Sequence, residues 1–412
     1  MWSSTADPPS RRAPRDSTAT STPPPRRTAR ATGRDTARIR PGSLGVPAPP
    51  TPGTVRVATF NTALSRPVEG GMAAELSDPA GSEQARLVAE VLQRVRPDIV
   101  LLAEFDHDAD GAAATTFVRD YLAVPQLGAE PLRYDHRFLG PVNTGVPSGF
   151  DLDRDGAFDG PDDAWGYGHF PGQYGMLLLS RHPINVERVR TFRRFRWRDL
   201  PGALLPSAPD GSPHYPPEVL DRFPLSSKSH WDVPVQVGSR ALHVLASHPT
   251  PPAFDGPERR NVRRNHDEVR FWVDYLSPGG ADHLHDDAGT TGGLPPGAEF
   301  VVLGDLNADP SAGDREPGAI RRLLAAPRLV DTRPGSLGAV EAALRRGWSG
   351  TGWTATADFG VDGPGCLRVD YALPSAGTNP GASGVCWPPS WSALERLALA
   401  SDHRLVWVDL RW

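Results

Sequence analysis

Four short segments, far apart in the chain, each place a catalytic-type side chain beside a strand-like apolar run. The residues concerned are Asn61, Glu104, Asp305 with Asn307, and Asp402–His403. Carboxylates and amides are the ligands that hard divalent cations prefer, and such cations neutralise phosphate esters. Any one of these segments could be a turn at the end of a strand. Together they predict a site for a divalent cation and a phosphate ester.

Two histidines accompany these segments. His248 ends the run Leu242–Ser247, and prolines after it stiffen its loop. Asp370, a carboxylate among apolar residues, could hydrogen-bond His403, fix its tautomer and raise its pKa. A lone histidine is more often structural than catalytic, but two beside the other segments favour catalysis.

Residues 151–162 have the spacing of a calcium-binding loop. Carboxylates occupy positions 1, 3, 5, 9 and 12, a glycine occupies position 6 and a carbonyl is offered at position 7; these residues are Asp151, Asp153, Asp155, Asp159, Asp162, Gly156 and Ala157. The flanking residues are not helical in pattern, which favours a structural Ca²⁺ clip over a sensor. The alternative is a solvated acidic turn. The loop leads to Tyr174, which bound calcium would brace.

Strand-like and helix-like runs alternate along the chain, and several neighbouring strands are joined by short turns. Ser82 is a suitable N-cap for a helix that Pro97 ends, and a second helix is predicted over 257–275. Gly238-Ser239 has the spacing of a hairpin. The pattern predicts an α/β (α+β) fold with mixed, largely antiparallel sheets, and not a doubly wound parallel sheet.

Charge divides the chain into a basic tail and an acidic body. Residues 1–50 carry a net charge of +6, which leaves −11 for the rest. The tail is rich in Pro, Arg, Ser and Thr and poor in large apolar residues, so residues 1–52 are predicted to be disordered and 53–412 to fold. An acidic body disfavours nucleic acid as the main partner without excluding it. No apolar run reaches the ~20 residues that span a bilayer.

Several other residues allow two interpretations. Cys366 and Cys386 could form a disulfide, which would indicate an oxidising compartment, or remain two buried thiols. Arg260 and Arg264 could bind a substrate phosphate at the rim of the cleft, or belong to a solvated helix face. Lys228 is the only lysine, which we interpret as a coding bias and not as chemistry.

The order of these residues resembles the endonuclease/exonuclease/phosphatase superfamily, which includes deoxyribonuclease I-like metal-dependent phosphoesterases. Gly304–Asn307 and Ser401–His403 are the most specific matches, and the resemblance spans residues 54–412. It implies a four-layer sandwich of two packed sheets flanked by helices, with Mg²⁺ or Mn²⁺ at one end of the strands. It also implies an extracellular location, although no export signal is visible in this sequence.

The resemblance assigns roles position by position. Glu104 and Asp402 would ligate the metal, with Asn61 nearby. Asp305 would orient or deprotonate the attacking water, and Asn307 would contact the phosphate.

The remaining roles fall to two histidines, an aspartate and a tyrosine. His248 would stabilise the phosphate or assist the leaving group, and His403, oriented by Asp370, would stabilise the transition state. Tyr174 occupies a position where the superfamily has an active-site residue.

The leading hypothesis is a monomeric, divalent-metal-dependent phosphoesterase acting on a phosphodiester or phosphomonoester substrate. One alternative is a catalytically silent, calcium-stabilised binding module on the same fold. Others are a secreted nuclease acting on DNA or RNA and a nucleic-acid-binding protein tethered by its basic tail.

Overall fold

A computed structural model of the chain describes residues 45–311, 318–347 and 352–412. Most of the tail predicted to be disordered therefore lies outside the described residues. The strands are β1 (Thr54–Asn61), β2 (Ile99–Ala103), β3 (His136–Leu139), β4 (Met176–Ser180), β5 (Arg190–Thr191), β6 (His230–Val237), β7 (Arg240–Ser247), β8 (Glu299–Asp305), β9 (Ala357–Asp358), β10 (Cys366–Leu367), β11 (Asp370–Pro374), β12 (Pro380–Val385) and β13 (Val406–Arg411). The α-helices are α1 (Gly71–Ser77), α2 (Glu83–Val95), α3 (Ala112–Thr116), α4 (Pro217–Leu220), α5 (Arg260–Leu276), α6 (Gly318–Leu324) and α7 (Leu337–Arg345).

The strands form two large sheets and one small one. The first has six strands in the order β12-β13-β1-β2-β4-β3, and the second has five in the order β11-β8-β7-β6-β5. β9 and β10 form a separate pair. The pairs β1–β2 and β7–β8 are parallel, whereas the other strand pairs are antiparallel. The predicted mixed, largely antiparallel arrangement is confirmed.

Three apolar cores separate four layers. The central core joins the facing sides of the two sheets, with Val57 and Leu101 from one and Val244 and Val301 from the other. A second core packs α2 on the outer face of the six-stranded sheet, and a third packs α5 and α6 on the outer face of the five-stranded sheet. Each sheet is therefore buried on both faces, and the four-layer sandwich is confirmed. Among the described residues, no helix combines the length and apolarity needed to cross a bilayer.

Local capping explains where the two long helices begin. The Ser82 side chain accepts a hydrogen bond from the backbone of Ala85 at 3.2 Å, as predicted for the N-terminus of α2. The start of α5 is three residues later than predicted from Pro257. The reason is Asp255, whose carboxylate accepts hydrogen bonds from the backbone N–H groups of Asn261 (2.7 Å) and Val262 (2.9 Å) and so satisfies the first turn.

The topology brings the predicted site residues to one edge of the sandwich. β1 and β2 are parallel and adjacent, so Asn61 and Glu104 leave the six-stranded sheet side by side. β13 is antiparallel to β1, and His403 therefore lies near the end of β1. In the second sheet β7 and β8 are parallel, so His248 and Asp305 also emerge together. Both sheets thus place their predicted site residues at the same end of the sandwich.

The close backbone approach that Gly304 permits is to a neighbouring strand and not to a ligand. A glycine just before Asp305 predicts close approach of the backbone to a ligand. In the structure the close approach is to the neighbouring strand, because a Cβ on Gly304 would lie 1.9 Å from the Ser247 carbonyl oxygen. The glycine therefore allows β8 to pack against β7 where both strands end.

Candidate active site

One carboxylate oxygen is the meeting point of the distant segments. The Asn61 amide Nδ2 donates to Asp305 Oδ2 and to Glu104 Oε1, each at 3.0 Å. His248 Nε2 lies 3.5 Å and His403 Nε2 3.7 Å from the same Asp305 oxygen. Residues far apart in the chain, such as Asn61 and Asp305 at a separation of 244 positions, therefore share one buried site, as the sequence predicts.

A second aspartate positions His403. Asp370 Oδ2 lies 2.9 Å from His403 Nδ1, and the Asp370 backbone N–H donates to the Thr356 hydroxyl at 3.0 Å. Burial lowers the pKa of His403, but the charges of Asp370 and Asp305 outweigh it and raise the pKa above its usual value. The two carboxylates therefore favour the imidazolium form of the ring, and Nε2 is directed towards Asp305.

Asp305 is deeply enclosed, with 1% of its surface exposed. Burial raises the pKa of its carboxyl, and His403 and the Asn61 amide oppose that shift. The Asn307 backbone N–H donates to Asp305 Oδ1 at 2.9 Å, so both carboxylate oxygens are held. A fixed carboxylate with a raised pKa suits a group that accepts a proton.

Asn307 and Asp402 complete the rim of the site. The Asn307 amide Nδ2 donates to the Pro249 carbonyl at 3.1 Å, which ties it to the loop after β7. Asp402 is exposed, and its carboxylate accepts from the Ser401 hydroxyl at 3.3 Å. The same hydroxyl lies 2.8 Å from the Asn61 carbonyl oxygen, so Asp402 is anchored beside the end of β1.

Three of these residues adopt a left-handed backbone conformation that side chains rarely adopt. The φ angles are +54° at Glu104, +55° at Tyr174 and +50° at Asn307. At Tyr174 the conformation is held by a hydrogen bond of 3.0 Å from its backbone N–H to Asp106 Oδ1. Burial and the charge of Glu104 raise the pKa of the Tyr174 phenol. Such strain persists only where the surroundings impose it and is common at functional sites.

Two adjoining cavities open over the site. The smaller, about 290 Å³, is lined by six of the predicted residues: Glu104, His248, Asp305, Asn307, Asp402 and His403. The larger, about 520 Å³, shares Glu104 and His248 and adds Tyr174, Lys228 and Arg260. Asp370 lies behind His403, and Asn61 lies beneath Glu104 and Asp305.

Several acids of the site could hold a divalent cation. Asp305, Asp370 and His403 place potential ligand atoms within 4.8 Å of one another. Glu104 and Asp402 line the smaller cavity with Asp305 and His403 and add two further carboxylates to this set. Asp370 Oδ1 is buried without a hydrogen-bond partner among the described residues. An acid-rich site with oxygen donors fits Mg²⁺, Mn²⁺ or Ca²⁺ better than zinc.

The calcium-type loop assembles in part. Asp151, Asp153 and Asp155 bring carboxylate oxygens within 4.8 Å of one another. The predicted ligand Asp162 instead contacts Arg260 Nη2 at 3.1 Å, and Asp159 lies outside the cluster. The buried neighbour Asp163, which sequence analysis missed, closes the loop by accepting backbone hydrogen bonds from residues 152 (2.7 Å) and 160 (3.1 Å).

The two candidate phosphate-binding arginines differ in how they are held. Arg264 is buried, and its Nε and Nη2 donate to the carbonyls of Leu225 (2.9 Å) and Pro224 (3.0 Å). Arg260 donates to Asp162 and to the Leu152 carbonyl (3.3 Å) at the wall of the larger cavity. The interpretation of Arg264 as part of a solvated helix face is therefore wrong. Its side chain stabilises the loop before β6.

The position of Lys228 in the site is not predicted from composition. The residue is 5% exposed and lines the larger cavity beside Glu104 and His248. Lys228 is therefore part of the candidate site, and coding bias is not a sufficient interpretation of this residue. The available signal was the Gly238-Ser239 hairpin, because antiparallel pairing of β6 with β7 puts the residues before β6 next to those after β7.

The two cysteines are free and buried, so the disulfide interpretation is wrong for this structure. Cys366 belongs to the core between the sheets. Cys386 belongs to the core between the six-stranded sheet and its helices. The two residues therefore lie in different layers of the sandwich, which keeps their sulfurs apart.

Comparison with known proteins identifies the family of the chain. Residues 58–403 match the model of the Endonuclease/Exonuclease/phosphatase family, and the chain belongs to that family. The family's description covers endonucleases, exonucleases and phosphatases, which are hydrolases of phosphate esters. A search of curated proteins finds no match.

Solved structures of similar fold include an endonuclease/exonuclease/phosphatase from Beutenbergia cavernae, with 19% identity, TM-score 0.48, and coverage of 87% of this chain and 71% of that one. Sphingomyelinase C from Streptomyces griseocarneus has 17% identity, TM-score 0.45, and coverage of 87% and 98%. The human Nocturnin catalytic domain has 15% identity, TM-score 0.43, and coverage of 90% and 99%. Values this low identify neither a substrate nor a metal.

Proposed function

We propose that the chain is a divalent-metal-dependent phosphoesterase that hydrolyses a phosphodiester or a phosphomonoester. The observation that carries the proposal is the convergence of Asn61, His248 and His403 on Asp305 Oδ2, at 3.0, 3.5 and 3.7 Å. Hydrolysis of a phosphate ester needs an aligned water, neutralisation of charge and help for the leaving oxygen. The groups around Asp305 are of the types that these tasks require.

Asp305 accepts the proton of the attacking water at its carboxylate. The Asn61 amide and the Asn307 backbone N–H hold that carboxylate from two sides, which fixes the direction from which water is deprotonated. His403, kept protonated by Asp370, faces the negative charge that develops on the phosphoryl oxygens.

Glu104 and Asp402 would hold Mg²⁺ or Mn²⁺, with Asn61 adjacent. When bound, such an ion acts as a Lewis acid that polarises a phosphoryl oxygen. His248 Nε2 faces the same cavity and is placed to stabilise the phosphate or assist the leaving oxygen. Burial lowers the pKa of His248 well below its usual value, so this ring is neutral.

The shape of the site supports a compact substrate. The cavities are recessed, and exposed aromatic rings stand on the wall of the larger one, namely Tyr167 at 51% and Phe254 at 92% exposed. With the acidic body, this favours a small or single-stranded ester over duplex nucleic acid. Phosphodiesterase and phosphatase action both remain within the proposal.

The remaining expectations are proposals of the same kind. Asp151, Asp153 and Asp155 would bind a structural Ca²⁺, supported by the proximity of their carboxylates. We also propose that the chain acts as a monomer and outside the cell, the latter on family resemblance alone.

The test compares the unaltered chain with Asp305→Ala, and uses Asp282→Ala, at an exposed aspartate, as the matched control. Each would be assayed on bis- and mono-nitrophenyl phosphate and on DNA, with Mg²⁺, Mn²⁺, Ca²⁺ or a chelator. We expect metal-dependent hydrolysis that Asp305→Ala lowers by about 10²–10⁴-fold and Asp282→Ala leaves unchanged. Equal rates for the chain and Asp305→Ala would remove Asp305 from the mechanism. No hydrolysis of any ester would favour the silent binding module.

A further inference from the structure

We propose that Lys228, with the hydroxyl of Thr250, binds the phosphoryl group of the substrate on the side of the site away from His403. The proposal deepens the function proposed above and rests on it for the identity of the anion as a substrate. It assigns a phosphate-binding role to the single lysine of the chain.

Lys228 is a buried cation for which the described residues supply no ion-pair partner. Its side chain is 5% exposed, and within the described parts of the chain no carboxylate lies within ion-pair distance of its ammonium. Unpaired buried charges are costly and persist where a ligand or another charge compensates them. Burial lowers the pKa of Lys228, while the charges of Glu268, Glu104 and Asp305 act to raise it.

Glu268 of α5 is the obvious partner, but its oxygens are used elsewhere. Glu268 Oε1 accepts from the Ser227 backbone N–H at 2.6 Å and from the Ser227 hydroxyl at 3.0 Å. Glu268 Oε2 accepts from the Thr250 backbone N–H at 2.7 Å. This carboxylate therefore connects Ser227, the residue before Lys228, to the loop after His248. These hydrogen bonds fix the backbone next to Lys228, and the lysine itself takes no part in them.

Two further polar atoms of the same cavity lack partners. Thr250 Oγ1 and His248 Nδ1 are buried and make no hydrogen bond within the described residues, and both residues line the larger cavity with Lys228. An ammonium, a hydroxyl and an imidazole nitrogen can together contact several oxygens of one tetrahedral anion. Lys228 and Thr250 line the larger cavity together with Glu104 and His248, which also line the smaller one. This arrangement points to the reacting phosphate.

The experiment exploits the presence of a single lysine. An amine-acylating reagent would be applied to the chain with Mg²⁺, with and without inorganic phosphate, and the rate of Lys228 modification followed by mass spectrometry. The same reaction on Arg188→Lys, which adds an exposed amine elsewhere, supplies an internal control. We expect phosphate to slow modification of Lys228 at least about tenfold and to leave the introduced amine unaffected. Equal rates at Lys228 at the highest soluble phosphate concentration would overturn the proposal.

Kinetics supply the second arm. Lys228→Met should weaken inhibition by inorganic phosphate about 10- to 100-fold, the range for a charge-assisted hydrogen bond, whereas Arg188→Met should not change it. An unchanged inhibition constant in Lys228→Met would also refute the proposal. The labelling arm needs no turnover, so it can succeed if no ester is hydrolysed. Failure of the proposed function and failure of this inference are therefore distinguishable.

Discussion

The cavity around Asp305 and the loop 151–162 both gather carboxylates, but they are built in opposite ways. In the cavity a hydrogen bond joins Asn61 to Asp305, which are 244 positions apart, and Asp305 is buried. In the loop the carboxylates of Asp151 and Asp153 accept from backbone N–H groups two to five residues away; Asp151 is partly exposed and Asp153 is exposed. The cavity therefore depends on the whole sandwich, whereas the loop depends mainly on its own backbone.

This difference predicts where a substitution affects chemistry and where it affects stability. Changes at the cavity should lower activity by large factors, because its central acid, Asp305, is held by Asn61 from a distant part of the chain and by the adjoining Asn307. Changes at the loop should alter stability in the presence of Ca²⁺ and leave the rate of hydrolysis close to its original value.

Glu104→Gln should have the largest effect. The substitution removes a negative charge from the proposed metal site and keeps an oxygen for the Asn61 amide, 3.0 Å away in the structure. We expect kcat/KM with Mg²⁺ to fall about 10³-fold, or about 4 kcal/mol, because a metal supplies several kcal/mol of charge stabilisation. Steady-state kinetics over a metal titration would measure it, with Glu130→Gln at an exposed position as control. A fall of less than about tenfold would contradict the assignment of Glu104 as a ligand.

Gly304→Ala should destabilise the fold strongly. The new Cβ would meet the Ser247 carbonyl oxygen at 1.9 Å, and forcing the strands apart should cost about 3 kcal/mol. Gly156→Ala in the loop, where φ is +92° and nothing lies within 4 Å, should cost only about 1 kcal/mol. Urea unfolding of both variants would test the contrast, and equal losses would show that the two regions are equally constrained.

Asp370→Asn should have a smaller effect on catalysis. The amide cannot carry the charge that holds His403 protonated at 2.9 Å, although it preserves the shape of the side chain. We expect kcat to fall about 10- to 100-fold, roughly 2 kcal/mol, as for loss of an orienting outer partner. Asp362→Asn, at an exposed position, is the matched control. Unchanged kcat in Asp370→Asn would exclude Asp370 as the group that orients His403.

Asp153→Asn should have the smallest effect. With the unaltered chain, Ca²⁺ at about five times its Kd should raise the free energy of unfolding by about 1 kcal/mol. The substitution should abolish that gain while kcat stays within about twofold. Thermal unfolding with and without Ca²⁺ gives the first quantity, and Asp110→Asn at another exposed aspartate serves as control. If Ca²⁺ does not stabilise the unaltered chain, the loop is a solvated acidic turn.

The sequence predicts much of the site, because its signal is local. Asn61, Glu104 and Asp305 each stand where an apolar run ends, and parallel or neighbouring strands end at a common edge. Ser82 and the hairpin at Gly238-Ser239 likewise act through residues close by in the chain, and the structure confirms both.

The sequence does not predict what depends on contacts between distant elements. Lys228 has no motif around it, and its role follows only from the pairing of β6 with β7 and from the hydrogen bonds that Glu268 accepts. Arg264 has the pattern of a surface helix residue, but carbonyls of the preceding loop cover it. Cys366 and Cys386 are apart because they belong to different layers of the sandwich. Their spacing in the sequence does not predict those layers.

The left-handed backbone at Glu104 and Tyr174 sets a limit on engineering this protein for heat resistance. That conformation costs an ordinary residue about 1–2 kcal/mol, whereas glycine adopts it freely at an entropic loss of about 0.5–1 kcal/mol. A screen that rewards survival on heating would therefore accept glycine at either position. Each selected glycine variant would lose a carboxylate or a phenol from the cleft. A screen for heat resistance should therefore also measure hydrolysis.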